Sequence, residues 1–198
     1  MPVTYTNRKG FTYTLCQGTT KTGKPRYNFV RDPEGRRVVD EIPEGYEISE
    51  SVNGIVSLVK KRPAQILPEE VAAVEAAVER HPKSHNYRVN VKHDRIEIYE
   101  SVGPDVDDLI SDLRGMGMPL FDREKDLREI LERGAQFTPI LRFTLRVADA
   151  ETRSFGVQRW CYRGSIDDWI DVGASGSLDQ LARQLIPTLG TDKFFELY

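Results

Sequence analysis

Apolar and polar positions alternate with a period of two along several stretches of this chain, and with a helical period along others. Phe11, Tyr13 and Leu15 fall on one side of residues 11–16, and Tyr27 and Phe29 on one side of residues 26–31, as in half-buried strands. Val38-Val39, Tyr46-Glu47-Ile48 and residues 55–59 extend the pattern. Between them lie Thr22-Gly23-Lys24-Pro25, Asp32-Pro33-Glu34-Gly35, Ile42-Pro43-Glu44-Gly45 and Asn53-Gly54, all rich in turn formers. Asn53-Gly54 predicts a two-residue hairpin turn with both residues at positive φ. A meander of such short strands is marginal by itself.

The period changes at residue 68. Pro68 suits a first helical position, Glu69 and Glu70 suit the positive end of a helix, and Val71, Val74 and Val78 form one stripe, predicting a helix over 68–81. Tyr87–Val91 and Arg95–Tyr99 alternate around His93-Asp94 and predict a hairpin. Val106, Leu109, Ile110 and Leu113 mark a second helix, opened by Pro104 and Asp105. The glycines of Gly115-Met116-Gly117-Met118-Pro119 predict a loop. A third helix is capped by Asp122 and ends at Gly134. Leu127, Ile130 and Leu131 are expected to face inward, with ion pairs such as Glu124–Arg128 outside. Residues 138–147 and 154–163 alternate as two strands joined by a turn at 149–152. Ser177-Leu178-Asp179-Gln180 reads as a capping box for a fourth helix burying Leu178, Leu181, Ala182 and Leu185. Phe194, Phe195 and Leu197 predict a docked end.

These elements predict an α+β chain. A small N-terminal antiparallel β meander is followed by an antiparallel sheet with helices packed mainly on one face. The expected organisation is a β-rich module over 1–62, a linker helix within 63–83, and an α+β domain over 84–198.

Charge changes the picture locally. The 198 residues carry a net charge of −3, but residues 1–37 hold eight Lys or Arg against two Asp or Glu. The basic turn Lys21, Lys24, Arg26 with Tyr27 has two readings: a nucleic-acid contact, with phosphates on the cations and a base on the ring, or a solvated hairpin tip. The solvated tip is preferred. Cys16 and Cys161 are too few for a disulfide framework and lack zinc-ligand spacing. No apolar stretch approaches the roughly 20 residues needed to span a bilayer, and no apolar run follows the N-terminus. A cytoplasmic protein with reduced thiols is expected.

Residues 158–171 concentrate what chemistry the sequence offers. They hold both tryptophans, Cys161, Arg159, Arg163, Asp167, Asp168 and Asp171. Alternation places Gln158, Trp160 and Tyr162 on one face of a strand and Arg159, Cys161 and Arg163 on the other. Gly164-Ser165 then breaks it, and Ser165 is expected to cap a short helical turn. Trp160 and Trp169 are expected in a core. Arg142, Arg146, Arg159 and Arg163 are expected on the opposite sheet face, either binding an anion or neutralised by nearby carboxylates. His81 and His85 flank Pro82, which breaks the helix that would align them for a metal.

Residues 11–60, with Ile42-Pro43-Glu44-Gly45-Tyr46-Glu47-Ile48, and residues 158–198, with Gln158-Arg159-Trp160-Cys161-Tyr162-Arg163, resemble stretches of uncharacterised bacterial proteins. That resemblance implies no activity and transfers no functional residue.

Three functions stay open. A non-catalytic binding or interaction protein with a protein partner ranks first, with Arg159, Trp160, Arg163, Asp167, Asp168 and Trp169 as candidate ligand-binding residues. A metal-dependent hydrolase or nuclease would use Asp167, Asp168 and Asp171. A weak nucleic-acid contact would use Lys21, Lys24, Arg26 and Tyr27. The sequence assigns no catalytic residue, no metal site, no cofactor and no membrane contact.

Overall fold

A computed structural model of the chain describes residues 1–117, 123–148, 152–162 and 167–196. The architecture is α+β with antiparallel sheets. By compactness the chain divides into residues 1–62 with 106–135, and residues 63–105 with 136–198. Among the described residues no helix is long and apolar enough to cross a membrane.

The first unit begins with β1 (Thr4–Thr6), β2 (Thr12–Thr19), β3 (Pro25–Val30) and β4 (Arg37–Val38). β1 and β3 flank β2, and β4 also pairs with β2. β5 (Tyr46–Glu50) and β6 (Val56–Lys60) form a separate hairpin. Leu15 and Cys16 are adjacent and both fully buried, so β2 is covered on both sides there.

Three loops of this unit repeat one design. Asn7, Thr20 and Ser51 each open a turn in which the N–H of the glycine three residues on, Gly10, Gly23 or Gly54, donates to their carbonyl. Those glycines sit at φ 80°, 79° and 78°. The side-chain oxygens of Asn7, Thr20 and Ser51 then accept the N–H of Phe11, Lys24 and Ile55 at 2.9–3.0 Å. This is a turn followed by one left-handed residue, the three-residue hairpin loop. It corrects the expectation at Asn53-Gly54. Gly54 alone takes positive φ, and no non-glycine residue among those described does. A side chain that satisfies the N–H four residues on makes the longer loop favourable.

Asn7 is buried and also donates to the Gly54 carbonyl at 2.6 Å, tying the first loop to the third. Glu50 gathers Tyr5 Oη, Arg8 N and Arg8 Nε at 2.9 Å each. Burial pushes the Glu50 carboxyl up, but these hydrogen bonds outweigh it and hold it below its ordinary value. α2 (Val106–Gly115) buries Ile110, with Val106, Leu109 and Leu113 half-buried beside it. α3 (Glu124–Gly134) buries nothing, and Ile130 is 65% exposed, against the expectation that it faces inward. Arg128 pairs with Asp107 of α2 at 2.7 Å rather than with Glu124, and Arg114 of α2 pairs with Glu124. Asp122 lies outside the described residues.

The second unit is one five-stranded antiparallel meander. Its strands are β7 (Tyr87–Val91), β8 (Arg95–Val102), β9 (Gln136–Ala148), β10 (Arg153–Tyr162) and β11 (Asp167–Gly176), in that spatial order. The last of these corrects the sequence reading: Asp167 onward is a strand, not a helical turn. Trp169 and Ile170 satisfy a pleated surface, and β11 completes its ladder on β10 with Trp169 opposite Trp160. Ile96, Ile98, Leu141, Phe143, Phe155 and Val157 point to one side and are fully buried. α1 (Pro68–Glu79) and α4 (Leu178–Leu185) cover that side. α1, expected as a linker, contributes Val74, Ala77 and Val78 to this core. Its start is fastened by Glu70, which accepts from Arg153 Nε and Nη2 at 2.5 and 2.9 Å. α4 buries Leu178, Leu181, Ala182 and Leu185, and Ser177 Oγ caps it by accepting from Gln180 N. α5 (Asp192–Phe195) docks Phe194 while Phe195 stays exposed. Leu197 lies outside the described residues.

The other side of the sheet is polar, yet it holds a buried charge. Glu97, 3% exposed, accepts from Lys92 Nζ at 2.7 Å, Tyr99 Oη at 2.8 Å and Arg95 Nε at 3.0 Å. Burial pushes its carboxyl up, but the bonds from Lys92 and Tyr99, with the positive charges around it, win and hold it below its ordinary value. Burial and the same carboxylate push the Tyr99 phenol up to about 12.

Two substitutions test these supports. A Cβ on Gly54 would stand 3.0 Å from Asn7 Nδ2, whereas one on Gly35, also at positive φ, meets nothing within 4 Å. Gly54→Ala is expected to cost about 2–3 kcal/mol and Gly35→Ala about 1, read from urea unfolding. Equal losses would mean that Asn7 yields freely. Glu97→Gln is expected to cost about 3 kcal/mol at pH 7. Because the folded carboxyl titrates below its ordinary 4.5, its stabilisation is complete above that value and is lost as pH falls through the folded one. The gap between wild type and variant should therefore shrink on acidification. A gap constant from pH 7 to about pH 3 would contradict the charged cluster.

Candidate functional site

The strands of the second unit present two distinct surfaces near residues 158–171. One is a cleft at one end of the sheet. The other is the open face of the sheet.

The cleft has a volume of about 620 Å³ and lies at the end of β8, β9 and β10, closed by α5. Ile140, Phe194 and Phe195 supply apolar wall, while Arg159, Glu100 and Cys161 supply polar atoms. Arg159 is only 9% exposed. It stands opposite Leu141 in the ladder and shares the core side with it. This corrects the expectation that Arg159 joins Arg142 and Arg146: the register pairs Arg142 with Gln158, so the alternation turns Arg159 the other way. Glu100 accepts from Tyr87 Oη at 3.0 Å. Burial first, then the Glu100 charge, push that phenol far up. Gly190, at φ 70°, permits this arrangement, because a Cβ there would stand 3.0 Å from Tyr87 Oη.

The open face carries Arg95, Glu97, Arg142, Thr144, Gln158, Trp160, Trp169 and Asp171. Trp160 and Trp169 meet edge to face with ring centroids 5.2 Å apart. Both are half-buried, so the expectation of core tryptophans is corrected: they cover each other on the polar side. The Arg142 guanidinium lies 4.3 Å from the Trp169 ring centre, and its Nε donates to Gln158 Oε1 at 2.6 Å. Arg146 pairs with Asp171 across the surface.

The three aspartates do not converge. Asp167 and Asp171 share a face, about 13 Å apart along an extended strand, and Asp168 points to the opposite face. Asp168 Oδ1 accepts from Trp169 N at 2.7 Å, and Asp171 Oδ1 from Gly173 N at 2.8 Å. Arg163 lies outside the described residues. Of the candidate set, Arg159 and Trp160 line the cleft, while Asp167, Asp168 and Trp169 do not.

The remaining candidates are local. Lys21, Lys24 and Arg26 are exposed at the β2–β3 hairpin, and Tyr27 leans on Tyr46 with ring centroids 6.5 Å apart. His81 bonds to the Leu189 carbonyl at 3.2 Å and accepts from Lys83 N at 3.1 Å, so it braces the chain. His85 faces Asp105 at 3.3 Å, and Asn86 donates to the same carboxylate at 2.7 Å. Cys16 is buried and Cys161 half-buried, both as free thiols.

Sequence reasoning missed Glu97, Glu100 and Thr144. A signal existed for Glu97, which lies between Ile96 and Ile98 in a strand with neighbours on both sides. A charge in that setting must find partners. Glu100 and Thr144 gave none, since only the register shows what surrounds them.

No family model, no curated protein and no solved structure matches this chain.

Proposed function

We propose that the protein is a non-catalytic binding protein whose second unit takes up a small amphipathic acid. The observation that carries this reading is an arginine nine-tenths buried in a cleft of about 620 Å³ with apolar walls. Clefts of that volume suit small ligands, and a few fixed polar groups in an apolar lining set orientation. A buried guanidinium keeps its positive charge at low dielectric, which favours an anionic head group, and Ile140, Phe194 and Phe195 offer the tail a dry surface. Glu100 is engaged by the Tyr87 hydroxyl, and its negative charge discriminates against a second acidic group on the ligand.

Decanoate, decanol and decylamine share a chain and differ in the head group. Decanoate is expected to raise the melting temperature most. Arg159→Met should weaken its binding about tenfold or more, the loss expected for one charge-assisted pair. Ser101→Ala, at the rim, should change it little. Tighter binding of decylamine, or decanoate binding untouched by Arg159→Met, would overturn the reading.

A further inference from the structure

On the open face of the second unit Arg142 differs from the cations beside it. Lys92 and Arg95 share Glu97, Arg95 also meets Asp94, and Arg146 meets Asp171. Among the described residues Arg142 has no carboxylate within ion-pair distance. Its Nε donates to Gln158, and its Cζ lies 4.3 Å from the Trp169 ring centre. The terminal nitrogens have no hydrogen-bond partner among the described residues, so the end of the guanidinium can still donate.

A second observation lies two residues along β9. Thr144 Oγ1 is buried and has no hydrogen-bond partner among the described residues. Thr144 is opposite Arg95 on β8 and opposite Gly156 on β10. Residues two apart on a strand share a face, with Cα atoms about 6.6 Å from each other. Arg142 and Arg146 therefore flank the hydroxyl along its own strand, and Arg95 stands across from it. On the remaining side Gly156 has no side chain, and the Arg146 guanidinium occupies the space where a Cβ would be. The Arg146–Asp171 pair is exposed and so holds that side chain weakly.

We infer that Arg142 and Thr144 form the base of a binding site for a single phosphoryl group on this face. The donors do not lie in one plane: the hydroxyl is beneath, and guanidinium groups stand on two or three sides. That suits a tetrahedral oxyanion better than a planar carboxylate. A compact dianion also fits the surroundings. Glu97, Asp94 and Asp171 border the site and disfavour a phosphodiester chain running across the face, so the ligand is a small phosphomonoester rather than a nucleic acid. Burial, then the charge of Arg95, push the Arg142 guanidinium down from its ordinary value, against the opposing pull of Glu97, Asp168 and Asp94. Arg95, Arg142, Thr144 and Arg146 are not among the residues that line the cleft.

The test is titration of the full chain with inorganic phosphate at low ionic strength, followed by amide chemical shifts and calorimetry. Phosphate should perturb the amides of residues 142–146 and 156–158. Arg142→Gln should weaken binding about tenfold or more, and Thr144→Val about threefold to tenfold. Thr144→Val keeps the side-chain shape and removes the buried hydroxyl, so it should fold even where Arg142→Gln does not. Lys61→Ala, in the other unit, should bind as wild type. Decanoate binding should survive both variants. Unchanged phosphate affinity in Thr144→Val and Arg142→Gln would overturn the inference. So would acetate binding as tightly as phosphate, or oligothymidylate binding more tightly than phosphate does.

Discussion

Successive side chains along a strand point to opposite sides, and in the second unit that single constraint places both a core and a polar surface. Alternate residues through the centres of β8, β9 and β10, namely Ile96, Ile98, Leu141, Phe143, Phe155 and Val157, go into the core that α1 and α4 cover. The intervening residues form the face carrying Glu97, Arg142 and the tryptophan pair. A slip of one residue in the register would bury Arg142 and expose Leu141, so the apolar side enforces the geometry of the charged side. Arg159 shows the same constraint from within. It occupies a core-side position because the period requires it, and the cleft at the sheet's end is where such a charge is tolerated.

The first unit is held differently. Its strands are short, and few of its residues are fully buried. Order there comes from the ends of the strands. Asn7, Thr20 and Ser51 each close a loop with their own side chains, and Asn7 then reaches the third loop. Glu50 gathers donors from Tyr5 of β1 and from Arg8 in the loop that follows it. A unit of this kind depends on satisfied polar groups at a few points more than on buried area.

Much of the fold was legible because period is a local property. The stripes of α1, α2 and α4 and the alternation of β7 to β10 follow from the spacing of their apolar residues. The readings that failed involved non-local facts. Asp167-Asp168 after Gly164-Ser165 carries a local helix-start pattern, but pairing with β10 outweighs it. Ile130 has helical spacing with Leu127 and Leu131, yet spacing cannot say whether a partner surface exists. Trp160 and Trp169 are large enough to suggest a core, but their parity in the register sends them to the polar side, where they shield each other. The site was legible only as a neighbourhood. Arg159 and Trp160 were marked by composition, whereas Thr144 and Glu100 acquire meaning only from the strands beside them.

The pairing of α1 with α4 has a consequence for biosynthesis. These helices cover the same face of the sheet, yet residues 80–177 separate them along the chain. During synthesis β7 to β10 can zip up by successive hairpins as they appear, since each contact is between neighbours. The apolar face they create stays half covered until residues 178–194 have emerged. For that interval Leu141, Phe143, Phe155 and Val157 form a sticky surface on an otherwise assembled sheet. A chain stalled or truncated before α4 is thus a natural client for chaperones, with its secondary structure intact and its core open.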